Sequence, residues 1–363
     1  MTPPFIVVRR HATAIVVIAI ALMQTGASGQ SMTVSLADAL NYYEAGEHRM
    51  VERALAGAGG GDPKKIVALL QKDGAAWIVA DGPDRAARRR LVVATFALEA
   101  GYAGLDTQWT VGKEILEWAC ETFRKAGPPS EAERQWQLAA LALFEGSFEP
   151  RRGPNQPEAS DLLKHVTHIR GRFPNEPRLE LVPALLDEWE FWANRHKTVG
   201  VGEFRQQVTD NSIAALAIPA IEKAAANAAI RPEAQLRLGY LQYAHGDLDA
   251  ALKSLAEAAE GDDDPTRVYL AHLFTGWVHE QAGRMPEALA SFGRALEAVR
   301  GLSAALALGV RLYAVDRRDE ADAIVQDTLA AAVTDPYKLY GYGDLRRWPA
   351  IVAGLRRSFE VQR

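Results

Sequence analysis

Three glycines in the C-terminal third, Gly239, Gly276 and Gly309, each open the same arrangement of residues. Seven positions later stand Gly246, Gly283 and Asp316. Five further on are Ala251, Ala288 and Ala321, and four beyond those Leu255, Phe292 and Val325. The anchor glycines lie 37 and 33 residues apart, and the longer interval contains the acidic turn Gly261-Asp262-Asp263-Asp264-Pro265. A recurrence of this length marks one supersecondary unit stacked on copies of itself. Helical periodicity inside each copy makes that unit a pair of helices. The first glycine lets the two helices approach closely, and the second takes the left-handed conformation that ends the first helix. Asp316 substitutes there because a short polar side chain tolerates the same conformation. The small alanine is expected where the helices cross, and the larger residue after it is expected to fill the gap between hairpins.

The runs LGYLQYAHGDLDAALKSLAEAA, TGWVHEQAGRMPEALASFGRALE and LGVRLYAVDRRDEADAIVQDTLA resemble tandem tetratricopeptide (TPR) repeats, over roughly residues 232–332. Gln235 and Ala305 stand where that family often has tryptophan, and Thr328 replaces the usual alanine. The resemblance implies an all-α fold, a right-handed superhelical solenoid of antiparallel helical hairpins. It also implies a ligand groove lined by the first helix of each hairpin, one, four and five residues after the anchor glycine. Those positions are Tyr240, Tyr243 and Ala244, then Trp277, Glu280 and Gln281, then Val310, Tyr313 and Ala314. Tyr, Trp and a few polar groups suit recognition, although the same rings also suit packing between hairpins.

Upstream, helical periodicity dominates over 36–55, 63–79, 84–100, 109–125, 130–144, 157–170, 178–195 and 202–229. Glycine- and proline-rich breaks separate these stretches, as at Gly82-Pro83 and Gly127-Pro128-Pro129. Residues 41–55 look like one hairpin junction with Gly46 as its turn glycine. The expected layout is a leader over 1–29, irregular TPR-like hairpins over 30–229, three repeats over 230–332, and a capping segment with a last helix over 333–363. A cap is needed because an end repeat exposes an apolar face.

Arg9-Arg10-His11, the apolar stretch 12–23 and the small residues Ala27-Ser28-Gly29 read as a secretory signal peptide. The apolar stretch falls short of the ~20 residues a membrane-spanning helix needs. The expectation is a periplasmic or secreted protein with no stable membrane span once the leader is removed; an uncleaved anchor is the lesser alternative. The net charge of −5 opposes nucleic acid as a partner. Cys120 is the sole cysteine, so an internal disulfide is impossible. It shares a helical face with Ile115, Leu116, Ala119 and Phe123, which makes it a small core residue.

The motifs of catalysis are missing. His279-Glu280 lacks the second histidine of a zinc-protease helix, and the glycine-rich 57–62 stretch lacks the ending of a phosphate loop. There is no G-x-S-x-G elbow. His165 and His168 share a helix without a recognisable third ligand for zinc. The acidic turn offers too few oxygens for calcium, and Asp264 before Pro265 reads as a helix cap. The alternative function is a helical carbohydrate-active enzyme using Asp187, Glu188 and Glu190 beside Trp189 and Trp192. Against it, Val182, Leu185, Leu186, Trp189 and Trp192 form an apolar stripe, which would leave the carboxylates on a solvated flank. The leading expectation is a non-catalytic scaffold without cofactor or metal, binding a protein or peptide partner in its groove.

Overall fold

The computed structural model describes residues 35–47, 63–107, 109–147, 159–199, 206–211, 214–260 and 262–359. The expected leader lies outside them. Among the described residues the protein is all-α, with sixteen α-helices and one short β-hairpin. In chain order the first helices are α1 (Leu36–Glu44), α2 (Pro63–Leu69), α3 (Ala75–Val79), α4 (Pro83–Thr107), α5 (Trp109–Arg124) and α6 (Glu131–Ser147). Next come α7 (Ala159–Arg172), α8 (Arg178–Asn194), the strands β1 (His196–Val199) and β2 (Gln206–Thr209), and α9 (Ala214–Ala225). The remaining helices are α10 (Arg231–His245), α11 (Leu248–Glu260), α12 (Pro265–Gln281), α13 (Met285–Ala298), α14 (Leu302–Ala314) and α15 (Arg318–Ala331). A 3₁₀ segment (Pro336–Arg347) then leads to α16 (Trp348–Arg357). No described helix is long and apolar enough to cross a membrane.

Two of the expected helices differ from what forms. The 36–55 helix stops at Glu44, because Gly46 adopts a φ of 75° and turns the chain. The 202–229 helix begins only at Ala214, and Gln206–Thr209 instead pairs antiparallel with His196–Val199, with His196 opposite Thr209. The β-branched Thr198, Val199, Val208 and Thr209 in these strands lose side-chain freedom in a helix and fit a pleated pair better. The 63–79 helix forms as expected, with one π-type turn at Leu70–Gly74 between α2 and α3.

The chain divides into two compact units. The first comprises residues 1–148, 152–162 and 344–363. Within it α4 packs lengthwise on α5 and also touches α1, α6 and α16. Ser35 caps α1 through a reciprocal bond pair with Asp38, the capping-box arrangement. The Tyr43 hydroxyl donates to Glu99, whose carboxylate also accepts from Arg356 Nε at 3.0 Å, tying α1, α4 and α16 together. Cys120 is buried on α5 with its thiol 3.7 Å from Gln137 Oε1, and burial pushes its pKa well up.

The second unit comprises residues 149–151 and 163–343. Consecutive helices from α8 to α15 pack against each other in sequence order, and α10 also touches α12. That adjacency is consistent with a helical repeat. The three anchor glycines occupy equivalent surroundings. A Cβ on Gly239 would lie 2.6 Å from Leu255, one on Gly276 2.3 Å from Phe292, and one on Gly309 3.4 Å from Val325. The larger residue therefore packs on the anchor glycine of its own hairpin, where it was expected to fill the space between hairpins. Close approach explains why: with no side chain on the glycine, the facing helix lowers a bulky residue onto bare backbone.

Each first helix also ends in the same way. Gly246, Gly283 and Asp316 have φ of 101°, 74° and 61°. In each turn the following amide reaches back five residues: Asp247 to Gln242 O at 3.0 Å, Arg284 to His279 O at 2.8 Å, and Arg317 to Leu312 O at 2.9 Å. This bond satisfies carbonyls that the helix end leaves orphaned. The turn after α1 repeats it, with Glu47 donating to Tyr42 O at 2.8 Å.

The core of the second unit gathers Leu236, Leu255, Phe274, Phe292, Leu308 and the crossing alanines. Burying a ring such as Phe292 stabilises the fold by about 2 kcal/mol. Asp264 caps α12 by accepting from the Thr266 amide at 2.9 Å, ahead of Pro265 in the first turn. Asp262 of the same turn pairs with Arg267. The expected capping segment is divided between the units: residues 333–343 belong to the second, and 344–363 to the first.

Candidate functional site

The helices α8, α10 and α12 bring together a row of aromatic rings in the second unit. Trp192 stacks on Tyr240 with centroids 4.5 Å apart, and Tyr240 stacks on Phe274 at 4.0 Å. Trp277 extends the row at 5.4 Å from Phe274, and Tyr243 lies 6.2 Å from Tyr240. Local sequence explains the alignment: Tyr240 and Tyr243, like Phe274 and Trp277, are three apart and share a helix face. The rings bury a large apolar area against one another. Arg195, at the end of α8, places its guanidinium carbon 4.9 Å over the Trp192 ring.

One side of this row is covered by the chain itself. Tyr337 and Tyr340, three apart in the 3₁₀ segment, meet the row edge-on. Tyr340 lies 5.4 Å from both Tyr240 and Phe274, and Tyr337 lies 5.1 Å from Trp277. The Tyr240 and Tyr337 hydroxyls are 3.2 Å apart. The segment starts at Asp335, whose carboxylate accepts from the Ser303 amide at the N-terminus of α14 and from the Tyr269 hydroxyl at 3.3 Å. A negative charge is favoured at that helix end.

Behind the rings lies a buried charge network. Glu188 is 0% exposed and accepts from Arg237 Nη1 and the Tyr340 hydroxyl, both at 2.8 Å, and from Trp192 Nε1 at 3.1 Å. Arg237 also bonds Glu233, and Glu233 pairs with Arg178. Burial opposes the charge on Arg237, but Glu188, Tyr340 and Glu233 outweigh it and raise the guanidinium above its ordinary pKa. The phenols of Tyr240 and Tyr340 are also pushed well up. Burial is the main cause, followed by Tyr337 for the first and Glu188 for the second.

The expected groove residues are distributed unevenly. Tyr240, Tyr243 and Trp277 join the ring row; Tyr240 is only 7% exposed, whereas Tyr243 and Trp277 are half-buried. Ala244 is buried. Glu280 accepts from Arg311 Nε at 3.1 Å, linking α12 to α14. Gln281 is exposed at the end of α12. Tyr313 stands apart from the row, exposed, with its hydroxyl donating to Asp322; Val310 and Ala314 beside it are exposed too.

The carboxylates of the alternative enzyme reading differ in exposure. Glu188 points inward and is consumed by the network, contrary to the expected solvated flank, while Asp187 and Glu190 are exposed. Trp189 is buried, but Trp192 is only partly so. His165 and His168 stack with ring centroids 6.3 Å apart. Among the described residues no three His, Cys, Asp or Glu side chains converge in a metal-binding arrangement.

Sequence reasoning did not assign Phe274, Trp192, Tyr337, Tyr340 or Arg237 to this site. The three-residue spacing of Tyr337 and Tyr340 was the available signal, since it places both on one face of a 3₁₀ turn. No protein-family model matches the chain, and no curated protein is similar to it.

Proposed function

We propose that the chain is a non-catalytic, TPR-type scaffold that binds a peptide segment or protein surface of a partner. Binding would use the first-helix face that carries Tyr240, Tyr243, Trp277 and Glu280. In this reading the hairpins from α10 to α15 continue one right-handed solenoid, and the protein works in the periplasm or outside the cell after loss of its leader. The single observation that supports it most is the threefold recurrence of the hairpin geometry around Gly239, Gly276 and Gly309. In such a stack equivalent first-helix positions would lie side by side, and two of them, Tyr240 and Trp277, carry large rings. Aromatic anchors of this kind supply much of the binding energy in protein recognition.

The test is partner recovery from native cells by crosslinking, comparing the intact chain with Tyr243→Ala plus Trp277→Ala. Both rings are half-buried against the core, so the comparison uses a variant whose circular dichroism matches that of the intact chain. Loss of a crosslinked partner that the intact chain retains supports the reading, and equal recovery sinks it.

A further inference from the structure

We infer that the ring row is a site for a short tyrosine-bearing peptide of the pattern Asp-Pro-Tyr-x-x-Tyr, and that residues 335–340 are the chain's own occupant of it. This rests on the scaffold reading above and names its ligand class. Recognition runs through side chains at fixed spacing. The Asp335 carboxylate takes the Ser303 amide and the Tyr269 hydroxyl. Two positions on, Tyr337 packs edge-on against Trp277 and meets the Tyr240 hydroxyl. Three further on, Tyr340 inserts against Tyr240 and Phe274 under the Arg237 guanidinium, 5.1 Å from its ring, and donates to Glu188. Pro336 is buried, whereas Lys338 points to solvent and carries no contact the pattern needs.

Each of these contacts is made by helices far from the segment in sequence, so a separate peptide with the same groups could make them too. The rings it covers include Tyr240 and Trp277, equivalent first-helix positions of neighbouring hairpins. The stretch leading into the segment, Ala332, Val333 and Thr334, is exposed, and Ala332 ends α15 at a left-handed φ of 50°. A tethered occupant lowers the apparent affinity of any competitor in proportion to the fraction of time the site is filled. The site is therefore self-covered, and a partner bearing the pattern gains access by displacing residues 335–340.

The experiment titrates a labelled, end-blocked hexapeptide DPYKLY, the sequence of residues 335–340, with the full chain and reads fluorescence anisotropy. Asp335→Ala plus Tyr337→Ala, which loosens the internal occupant, is expected to bind it at least about tenfold more tightly than the intact chain. Peptides with alanine for the aspartate or for the second tyrosine should bind about tenfold more weakly than the parent. A double variant with native circular dichroism and no gain in affinity overturns the inference, as do alanine peptides that bind equally well. If the double variant does not fold, Tyr340→Phe gives the same comparison. It keeps the ring and loses only the bond to Glu188, for an expected gain of about threefold, and no gain there is equally fatal. A chain that holds a crosslinked partner through Tyr243 and Trp277 but ignores the hexapeptide overturns this inference and leaves the scaffold reading standing.

Discussion

Tyr340 donates its hydroxyl to Glu188 at 2.8 Å, joining residues 152 positions apart in the chain. Glu188 in turn holds Arg237, so the C-terminal segment, α8 and α10 meet at one buried carboxylate. Three elements that sequence separates thereby share one buried carboxylate, beside the packing of Trp192, Tyr240 and Tyr340.

Removing one member of that pair should be costly. Arg237→Met leaves Glu188 buried without its cation, and the expected loss is about 3–5 kcal/mol of unfolding free energy. Combining it with Glu188→Gln restores charge balance, because Glu233 still has Arg178. The double variant should then unfold at a higher urea concentration than Arg237→Met alone. A midpoint at or below that of the single variant would refute the coupling.

The anchor glycines should differ in their tolerance of a methyl group. In Gly276→Ala the new Cβ would lie 2.3 Å from the fully buried Phe292 ring, so overpacking should exceed the gain in helix propensity. A net loss of roughly 1–2 kcal/mol is expected. In Gly309→Ala the nearest atom is 3.4 Å away on Val325, an ordinary contact, and the variant should be neutral or up to about 1 kcal/mol more stable. Denaturant unfolding of the two variants side by side checks the contrast.

Alkaline pH should unfold the protein through its buried phenols. Burial raises the pKa of Tyr43, Tyr240, Tyr337 and Tyr340 above the ordinary phenol value of about 10. Their folded-state pKa lies above the unfolded one, so the folded chain binds more protons as pH passes 10 and its stability falls with rising pH. Stability should hold below that value and decline above it. In a spectroscopic titration these tyrosines should ionise late, together with the loss of helical signal. Full ionisation of all tyrosines near 10 with the helices intact would contradict the burial.

The Cys120 thiol should be inert in the folded protein, since burial raises its pKa and a thiol reagent needs the thiolate. Reaction is expected only under denaturing conditions, with one equivalent consumed. Rapid labelling in native buffer would show the site to be open.

Much of the hairpin architecture was legible in residues, and particular positions show why. Gly246, Gly283 and Asp316 end their helices because few residue types accept a left-handed φ, so the residue type reports the conformation. The error over 202–229 has a matching cause. A hydrophobic pattern carries no direct record of strand pairing, and β2 is a strand only because β1 lies beside it. Glu188 misled in the same way: its place on the helix suggested solvent, and the partners that make its burial tolerable come from α10 and the C-terminal segment.

The sequence by itself determined the helical hairpins, their spacing and their turns, because those depend on residues within about forty positions of one another and on local backbone sterics. Only the tertiary structure decided that Tyr337 and Tyr340 lie against Tyr240, Phe274 and Trp277 and that Asp335 sits at the start of α14. Those contacts join segments distant in the chain. Their energy comes from desolvating rings and charges that no local pattern pairs in advance.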